Sequence, residues 1–175
     1  MIKRTLYRVL KKAVSLSFNI LNICLAGNLP PLGCIAVIVE DQGRYLLLQR
    51  PEGGLVFPGG FMRWREHPMQ TAEREFKEET GLQVGLRHVV GCYSNSSASF
   101  DSMSTLTLVY CGEMRGGEMR MSIEGQPYWI EESKLHGMVD FRNVYMLDDY
   151  REHRKLHDKQ EYCGIVVRET TDEKL

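Results

Sequence analysis

The sequence lacks the features that define several common classes of protein. Its formal net charge is −1 over 175 residues, so no global positive field attracts nucleic acid, and stable nucleic-acid binding is not expected. The five cysteines form no C-x-x-C pair, which argues against a zinc knuckle or disulfide framework and favours reduced thiols in a cytoplasmic protein. Neither G-x-x-x-x-G-K-[ST] nor G-x-G-x-x-G occurs, so P-loop and Rossmann chemistry have no support.

Acidic residues are absent from the first 39 positions. An apolar stretch from Ala13 to Ala26 follows five basic residues, but it is too short to span a bilayer, which takes about 20 residues. Apolar residues at helical spacing predict an amphipathic helix over residues 1–27 that packs on the core or on a partner, such as a second copy in a homodimer. A weak membrane-surface contact or a targeting role stays open. The basic residues are Lys3, Arg4, Arg8, Lys11 and Lys12.

The main domain is predicted to begin after the helix breaker Asn28-Leu-Pro-Pro-Leu-Gly33 and to occupy residues 28–175. Strands on either side of a helix predict an α/β layered domain that ends in a charged tail. His153 and His157 share one face of the last predicted helix and are expected to be solvated. Strands are predicted at 34–40, 44–50, 55–57, 87–93, 105–111 and 128–130, and helices at 68–80 and 144–157.

The helix predicted at 68–80 carries an acidic face. Glu75, Glu78 and Glu79 are three and four residues apart, so their carboxylates project from one side. At about 5–6 Å and an effective dielectric near 20, each pair repels by roughly 3 kcal/mol. Solvent together with Arg74 and Lys77 is one way to offset that repulsion. A divalent cation is the other, and all-oxygen ligation suits magnesium or manganese.

The residues around this helix resemble the Nudix box, whose pattern is G-x5-E-x7-R-E-U-x-E-E-x-G-U with U a bulky aliphatic residue. All seven fixed positions match, and Leu82 fits the last U, whereas Phe76 departs from the aliphatic preference at the first. The resemblance implies a Nudix-type α/β/α sandwich with a mixed β-sheet. The matching residues are Gly60, Glu66, Arg74, Glu75, Glu78, Glu79 and Gly81.

The resemblance also implies a role for each matched position. Glu75, Glu78 and Glu79 would be catalytic metal ligands for Mg²⁺, with Mn²⁺ as an alternative, and the main-chain carbonyl of Gly60 would add a further donor. The remaining matches would support the loop and the helix structurally: Glu66, Arg74 and Gly81. The reaction implied is attack of water on phosphorus, without a covalent intermediate.

A second acidic site is predicted downstream. Glu124-Gly-Gln-Pro127, followed by Trp129, resembles the loop of mutator-type enzymes whose glutamate reaches the metal centre, so Glu124 is both a catalytic and a metal-ligand candidate. A glutamate in an ordinary surface turn is the alternative, and Glu131 and Glu132 are the fallback candidates. Substrate-binding candidates are Tyr93, by stacking on a base, and Asn143, by position.

We therefore expect a Mg²⁺-dependent pyrophosphohydrolase that cleaves a small nucleoside diphosphate linked to another group. Two alternatives stay open. The first is an ADP-ribose or nucleotide-sugar pyrophosphatase, although Ser96, Ser97 and Ala98 stand where ADP-ribose-specific members tend to carry a proline. The second is a non-catalytic binding module with the same fold, a class whose members commonly lose box glutamates that this chain keeps.

Overall fold

Three α-helices alternate with groups of β-strands in the part of the chain that the computed structural model describes, which is residues 2–51, 53–97, 99–135, 141–158 and 166–169. A short 3-10 turn at Glu132–Lys134 follows β7. The elements are α1 Ile2–Cys24, β1 Leu32–Asp41, β2 Arg44–Gln49, β3 Leu55–Val56, β4 Gly59–Phe61, α2 Pro68–Thr80, β5 Leu82–Asn95, β6 Thr105–Gly117, β7 Gln126–Glu131, α3 Phe141–Asp158 and β8 Val166–Glu169.

The strands form one mixed sheet in the order β3-β2-β1-β6-β5-β8, with β4 paired to β1 and β7 paired to β2. The β1–β6 and β5–β8 pairs are parallel, and the others are antiparallel. Two strands were missed by the sequence analysis: β4, which lies between the strand predicted at 55–57 and the helix predicted at 68–80, and β8, in the predicted charged tail. The missed strand β4 pairs its two glycines with Ile35 and Ala36 of β1, a long-range contact that no local pattern indicates.

Both faces of the sheet are covered, which explains the continuous apolar runs of β1 and β2. Alternate residues of β1 point to opposite sides. Ile35 and Val37 pack with Phe76 of α2, whereas Ala36 and Ile38 pack in the cluster that contains Met146 and Leu147 of α3. Full burial of each large apolar side chain contributes about 1.5–3 kcal/mol. The predicted α/β/α sandwich with a mixed sheet is confirmed.

Helix α2 begins and ends where the sequence predicts. Its first residue is Pro68, and the Gln70 side chain accepts a hydrogen bond from the His67 N–H at 2.9 Å. The helix ends at Gly81, which has a φ of 79° in the left-handed region. A Cβ at Gly81 would lie 2.3 Å from the carbonyl oxygen of Glu118. Glycine is therefore required at Gly81 by both its conformation and its surroundings.

Helix α1 contacts the domain through its polar side. Asn19 donates to the carbonyl oxygens of Phe100 and Ser102 at 2.9 and 2.7 Å, and Lys12 pairs with Asp101 at 3.1 Å. Ser15, on the same side, is only 3% exposed. The expectation that the apolar positions pack on the core is wrong for the described side chains. The exposed apolar residues of the segment are Val9, Leu10, Val14, Leu16, Ile20, Leu21, Ile23 and Leu25.

One further prediction about α3 is wrong. His153 is 7% exposed, and its ring stacks on His88 with the centroids 4.2 Å apart. The reason is helical spacing: Met146, Asp149 and His153 lie three and four residues apart and share the face that covers the sheet. The side chain of His157 lies outside the described residues.

Candidate active site

An arginine fork joins the loop before α2 to the helix itself. Arg74 donates from Nε to Oε1 of Glu66 at 2.6 Å and from Nη2 to Oε2 at 2.8 Å. Its Nη2 also reaches the carbonyl oxygen of Phe61 at 3.1 Å. The hydrogen bonds from Arg74 to Glu66 are the largest cause that lowers the pKa of Glu66 from 4.5 to about 2, and a bond from the Thr71 hydroxyl adds to the effect. The fork sets the position of the loop on the acidic helix.

The same guanidinium holds two of the three clustered glutamates. Its Nη1 lies 2.6 Å from Oε1 of Glu75 and 3.2 Å from Oε2 of Glu78. Burial raises the pKa of Glu75, and the Arg74 hydrogen bond opposes that rise. Glu78 is half exposed and also pairs with Arg63. Arg74 therefore offsets part of the like-charge repulsion on this face of α2.

Glu79 is the buried member of the cluster. Its side chain is almost fully enclosed, and Oε2 accepts the backbone N–H of Gly59 at 2.7 Å. Its Oε1 lies 3.3 Å from Nη1 of Arg50 but has no hydrogen-bond partner among the described residues, because that ion pair lacks hydrogen-bond geometry. Burial raises the pKa of Glu79 to about 8, and the charges of Glu124 and Glu75 add to the rise. A buried carboxylate oxygen without a hydrogen bond is unfavourable, and a further cation would stabilise it.

The glycines of the loop bring its backbone against these carboxylates. A Cβ at Gly59 would lie 2.0 Å from the carbonyl oxygen of Ile35, and one at Gly60 would lie 2.6 Å from the carboxyl carbon of Glu75. The first contact is with backbone, so only glycine fits at Gly59. At Gly60 any side chain would displace the Glu75 carboxylate from its place beside the loop.

Glu124 lies beside the same cluster, linked through an arginine. Nη1 of Arg50 donates to Oε2 of Glu124 at 2.9 Å, and the same atom forms an ion pair with Oε1 of Glu79 at 3.3 Å. The fallback candidates lie elsewhere, since Glu131 pairs with Lys134 and Glu132 with Arg151. The structure thus places Glu124 next to the box glutamates, with Arg50 in contact with both Glu124 and Glu79.

Arg50 was missed by the sequence analysis. It follows β2 directly, and the pairing of β2 with β7 matches Gln49 with Gln126, which brings Arg50 close to Glu124. The available signal was a cation at the end of a strand with a continuous apolar run, just before a proline and a glycine-rich loop. That signal was too common to single out Arg50 without knowing the sheet order.

A cavity opens next to the glycine loop. The Tyr93 hydroxyl donates to Oδ2 of Asp149 at 2.9 Å, and Oδ1 of Asn143 accepts the N–H of Phe57 at 3.1 Å. Both substrate-binding candidates thus line the cavity while making buried hydrogen bonds within the protein. Residues around it include Ile35, Gly60, Tyr93, Asn95, Thr107 and Asn143.

The chemistry of this arrangement fits a divalent cation. Within the described ranges, no three acidic, histidine or cysteine side chains are grouped closely enough to form a ready-made metal site. Two arginines divide the four carboxylates between them, because Arg74 pairs with Glu75 and Glu78 and Arg50 pairs with Glu79 and Glu124. All four donors are carboxylates, and one buried oxygen lacks a hydrogen bond. Such a donor set suits Mg²⁺ or Mn²⁺.

Comparison with known proteins agrees with the geometry. The NUDIX domain family model matches residues 29–162. A MutT-like protein of Streptomyces ambofaciens is 28% identical over 138 residues, covering 74% of this chain and 86% of the relative. An ADP-ribose pyrophosphatase of Methanocaldococcus jannaschii is 29% identical over 96 residues, covering 53% and 56%. A NUDIX hydrolase structure from Nitrosomonas europaea has a TM-score of 0.64 and 22% identity, covering 71% and 90%. The chain therefore belongs to the Nudix hydrolase family.

Proposed function

We propose that this Nudix hydrolase is a Mg²⁺-dependent pyrophosphohydrolase that cleaves the diphosphate linkage of a small nucleoside diphosphate derivative. Glu79 carries the proposal, because its buried carboxylate keeps one oxygen without a hydrogen bond and is flanked by Glu75 and Glu124. Solvent alone does not offset a buried acidic cluster, whereas a divalent cation does. Four cysteines of the described residues are thiols outside any disulfide, which favours a reducing compartment, so we place the protein in the cytoplasm.

The residues proposed to hold the cation are the three box glutamates, with the main-chain carbonyl of Gly60 and the carboxylate of Glu124. When bound, the cation supplies charge neutralisation for the pyrophosphate and lowers the pKa of the attacking water. The Gly59 N–H holds Glu79 in place, and Arg74 aligns Glu75 and Glu78. Ligands positioned before substrate arrives need no reorganisation during the reaction.

Glu124 is proposed to accept the proton of the attacking water. Nη1 of Arg50 donates a hydrogen bond to its carboxylate at 2.9 Å and lies 3.3 Å from Oε1 of Glu79, so Glu124 is held beside the proposed metal ligands. Arg50 is itself proposed to contact a phosphate oxygen, since it is a fixed cation beside the carboxylates where an anionic substrate must enter. The cavity lined by Tyr93 and Asn143 is proposed to receive the nucleoside.

Two substrate classes remain candidates. The resemblance of Glu124-Gly-Gln-Pro127 to the loop of mutator-type enzymes favours a nucleoside triphosphate, and the MutT-like relative matches more of the chain than the archaeal one. The archaeal relative is named an ADP-ribose pyrophosphatase, which favours a nucleotide joined to a sugar. We propose to separate them with a substrate panel in Mg²⁺. A nucleoside triphosphate would release pyrophosphate and a nucleotide sugar would release a sugar phosphate, each together with a nucleoside monophosphate, so the second product is the one to measure. Nucleotide binding without any hydrolysis across the panel would contradict the proposed function.

Glu124→Gln is expected to lower kcat by about 10- to 1000-fold and to change KM much less. The reason is that a base acts on the water in the transition state and contributes little to holding the substrate. The measurement is steady-state kinetics on the best substrate of the panel.

Glu131→Gln and Glu132→Gln are the matched controls, because both acids follow Glu124 closely in the sequence but pair with cations outside the cluster. Both variants should retain the kcat of the wild-type enzyme. If Glu124→Gln kept the wild-type kcat while Glu132→Gln lost it, the second catalytic acid would be assigned to the turn after β7.

A further inference from the structure

The outward side of α1 is mainly apolar from Val9 to the end of the helix. The positions that contact the domain, Lys12, Ser15, Asn19 and Asn22, are spaced by three, four and three residues and form one stripe. The apolar residues lie around the rest of the helix, and eight large ones are exposed in the segment from Val9 to Leu25. An amphipathic helix normally buries its apolar face, so this orientation leaves that face available for another surface.

The sequence charge around this helix differs in sign from that of the rest of the chain. The first 39 residues hold five basic and no acidic residues, a formal charge of +5. The whole chain has 22 basic and 23 acidic residues, so the remaining residues have 17 and 23, a charge of −6. All five basic residues lie within the first twelve positions, in the first turns of α1. A negatively charged surface would attract this segment and repel the domain behind it.

An aromatic side chain stands beside the helix. Phe100 is 65% exposed, and its carbonyl oxygen accepts the Asn19 side chain at 2.9 Å. Its loop is thus tied to α1. The loop therefore holds one more exposed apolar side chain close to α1, and phenylalanine is a residue type found in membrane-surface segments.

We propose that α1 docks this enzyme on an anionic lipid bilayer, with the helix lying in the plane of the headgroups. Apolar residues would enter the acyl boundary, and the basic residues of the first turns would contact the lipid phosphates. Among the described residues, no helix is long and apolar enough to cross a membrane, which agrees with a helix that lies on the surface. A second copy of the chain that pairs the two helices in parallel fits less well, because it would bring two acid-free groups of five cations together.

Vesicle co-sedimentation of the full chain tests the apolar face. Wild-type protein is expected to bind vesicles of about 30% phosphatidylglycerol in phosphatidylcholine at least 10-fold more tightly than pure phosphatidylcholine. The double variant Val14→Gln/Leu21→Gln should weaken that binding by about 100-fold. Its matched control is Met114→Gln/Met119→Gln, which changes two exposed apolar residues of the domain and should bind as wild type.

A second pair of variants tests the charge. Lys3→Gln/Arg8→Gln/Lys11→Gln should lose about 100-fold in affinity for the anionic vesicles. The control Arg115→Gln/Lys134→Gln/Lys155→Gln removes the same charge from exposed positions of the domain and should lose far less. Circular dichroism and hydrolysis in solution confirm that each variant is folded, independently of lipid binding.

Three results would overturn the proposal. One is wild-type protein that stays in the supernatant when the anionic vesicles sediment. Another is equal binding by the helix variants and their controls. The third is light scattering that shows a dimer which Val14→Gln/Leu21→Gln converts to a monomer, together with no vesicle binding. That last result would assign the apolar face to a second copy.

Discussion

Glu79→Gln is expected to lower kcat by about 10²–10⁵-fold, with Glu78→Gln in the same range. Each substitution removes one negative charge from the proposed metal site, where charge develops in the transition state. Glutamine at position 79 retains an oxygen that can accept the Gly59 N–H, so the loop should keep its place. The measurement is kcat at saturating magnesium, on the best substrate of the panel.

Stability should move in the opposite direction to activity. The pKa of Glu79 is raised to about 8 by burial, so its ionised form opposes folding. That cost is absent below the unfolded pKa of about 4.5 and is complete above about pH 8. In metal-free protein, Glu79→Gln should therefore raise the melting temperature at pH 9 more than at pH 5.

Glu73→Gln is the control for these two variants, because it makes the same change at an exposed position of α2 that the box pattern leaves variable. It should leave both kcat and the melting temperature unchanged. Near-wild-type turnover in both Glu78→Gln and Glu79→Gln would remove the box glutamates from the proposed chemistry.

Arg74→Ala should lose activity and about 3–5 kcal/mol of unfolding free energy together. The substitution leaves the mostly buried carboxylates of Glu66 and Glu75 without their main cation and breaks five hydrogen bonds. Chemical denaturation measures the free energy of unfolding. Arg74→Lys keeps the charge but not the fork, so it should recover only part of the loss.

The loss caused by Arg74→Ala should depend on pH in a defined window. The pKa of Glu66 is lowered to about 2, so the stability it contributes is complete above its unfolded pKa of about 4.5 and disappears as pH falls towards 2. A shift of this size corresponds to about 3 kcal/mol. The difference in unfolding free energy between wild type and Arg74→Ala should shrink over that interval.

Arg63→Ala provides the comparison for Arg74→Ala. Arg63 also pairs with Glu78, but its side chain is 62% exposed, so the expected loss is under about 1 kcal/mol. An unchanged melting temperature in Arg74→Ala would mean that the fork contributes nothing, and the positioning role would be rejected.

The local part of the site could be predicted from the sequence because it depends on spacing within one helix. Residues three and four positions apart share a face of any α-helix, so the acidic face of α2 could be predicted from the spacing of its glutamates in the sequence. Pro68 at the first position and Gly81 after the last set the bounds of α2 in the same local way. The α/β layered class followed from apolar runs alternating with helical patterns, and the resemblance to the Nudix box supplied the α/β/α sandwich and the chemistry.

Long-range pairing decided the other half of the site. Arg50 and Glu124 are 74 residues apart and meet only because β7 aligns with β2. Likewise, β4 exists only because Gly59 and Gly60 pair with β1, which also brings the Gly59 N–H to Glu79. No pattern within a short window carries the register of two distant strands, so these contacts could not be read from the sequence.

Orientation was the other property that the sequence left open. The amphipathic pattern of residues 1–27 predicted a helix, and α1 is one, but the pattern does not specify which face meets the domain. Its polar stripe contacts the loop that contains Asp101, and the apolar face points outward. The buried His153 on α3 shows the same limit. Periodicity along one element determines which residues share a face, whereas only the packing of the whole chain determines what that face touches.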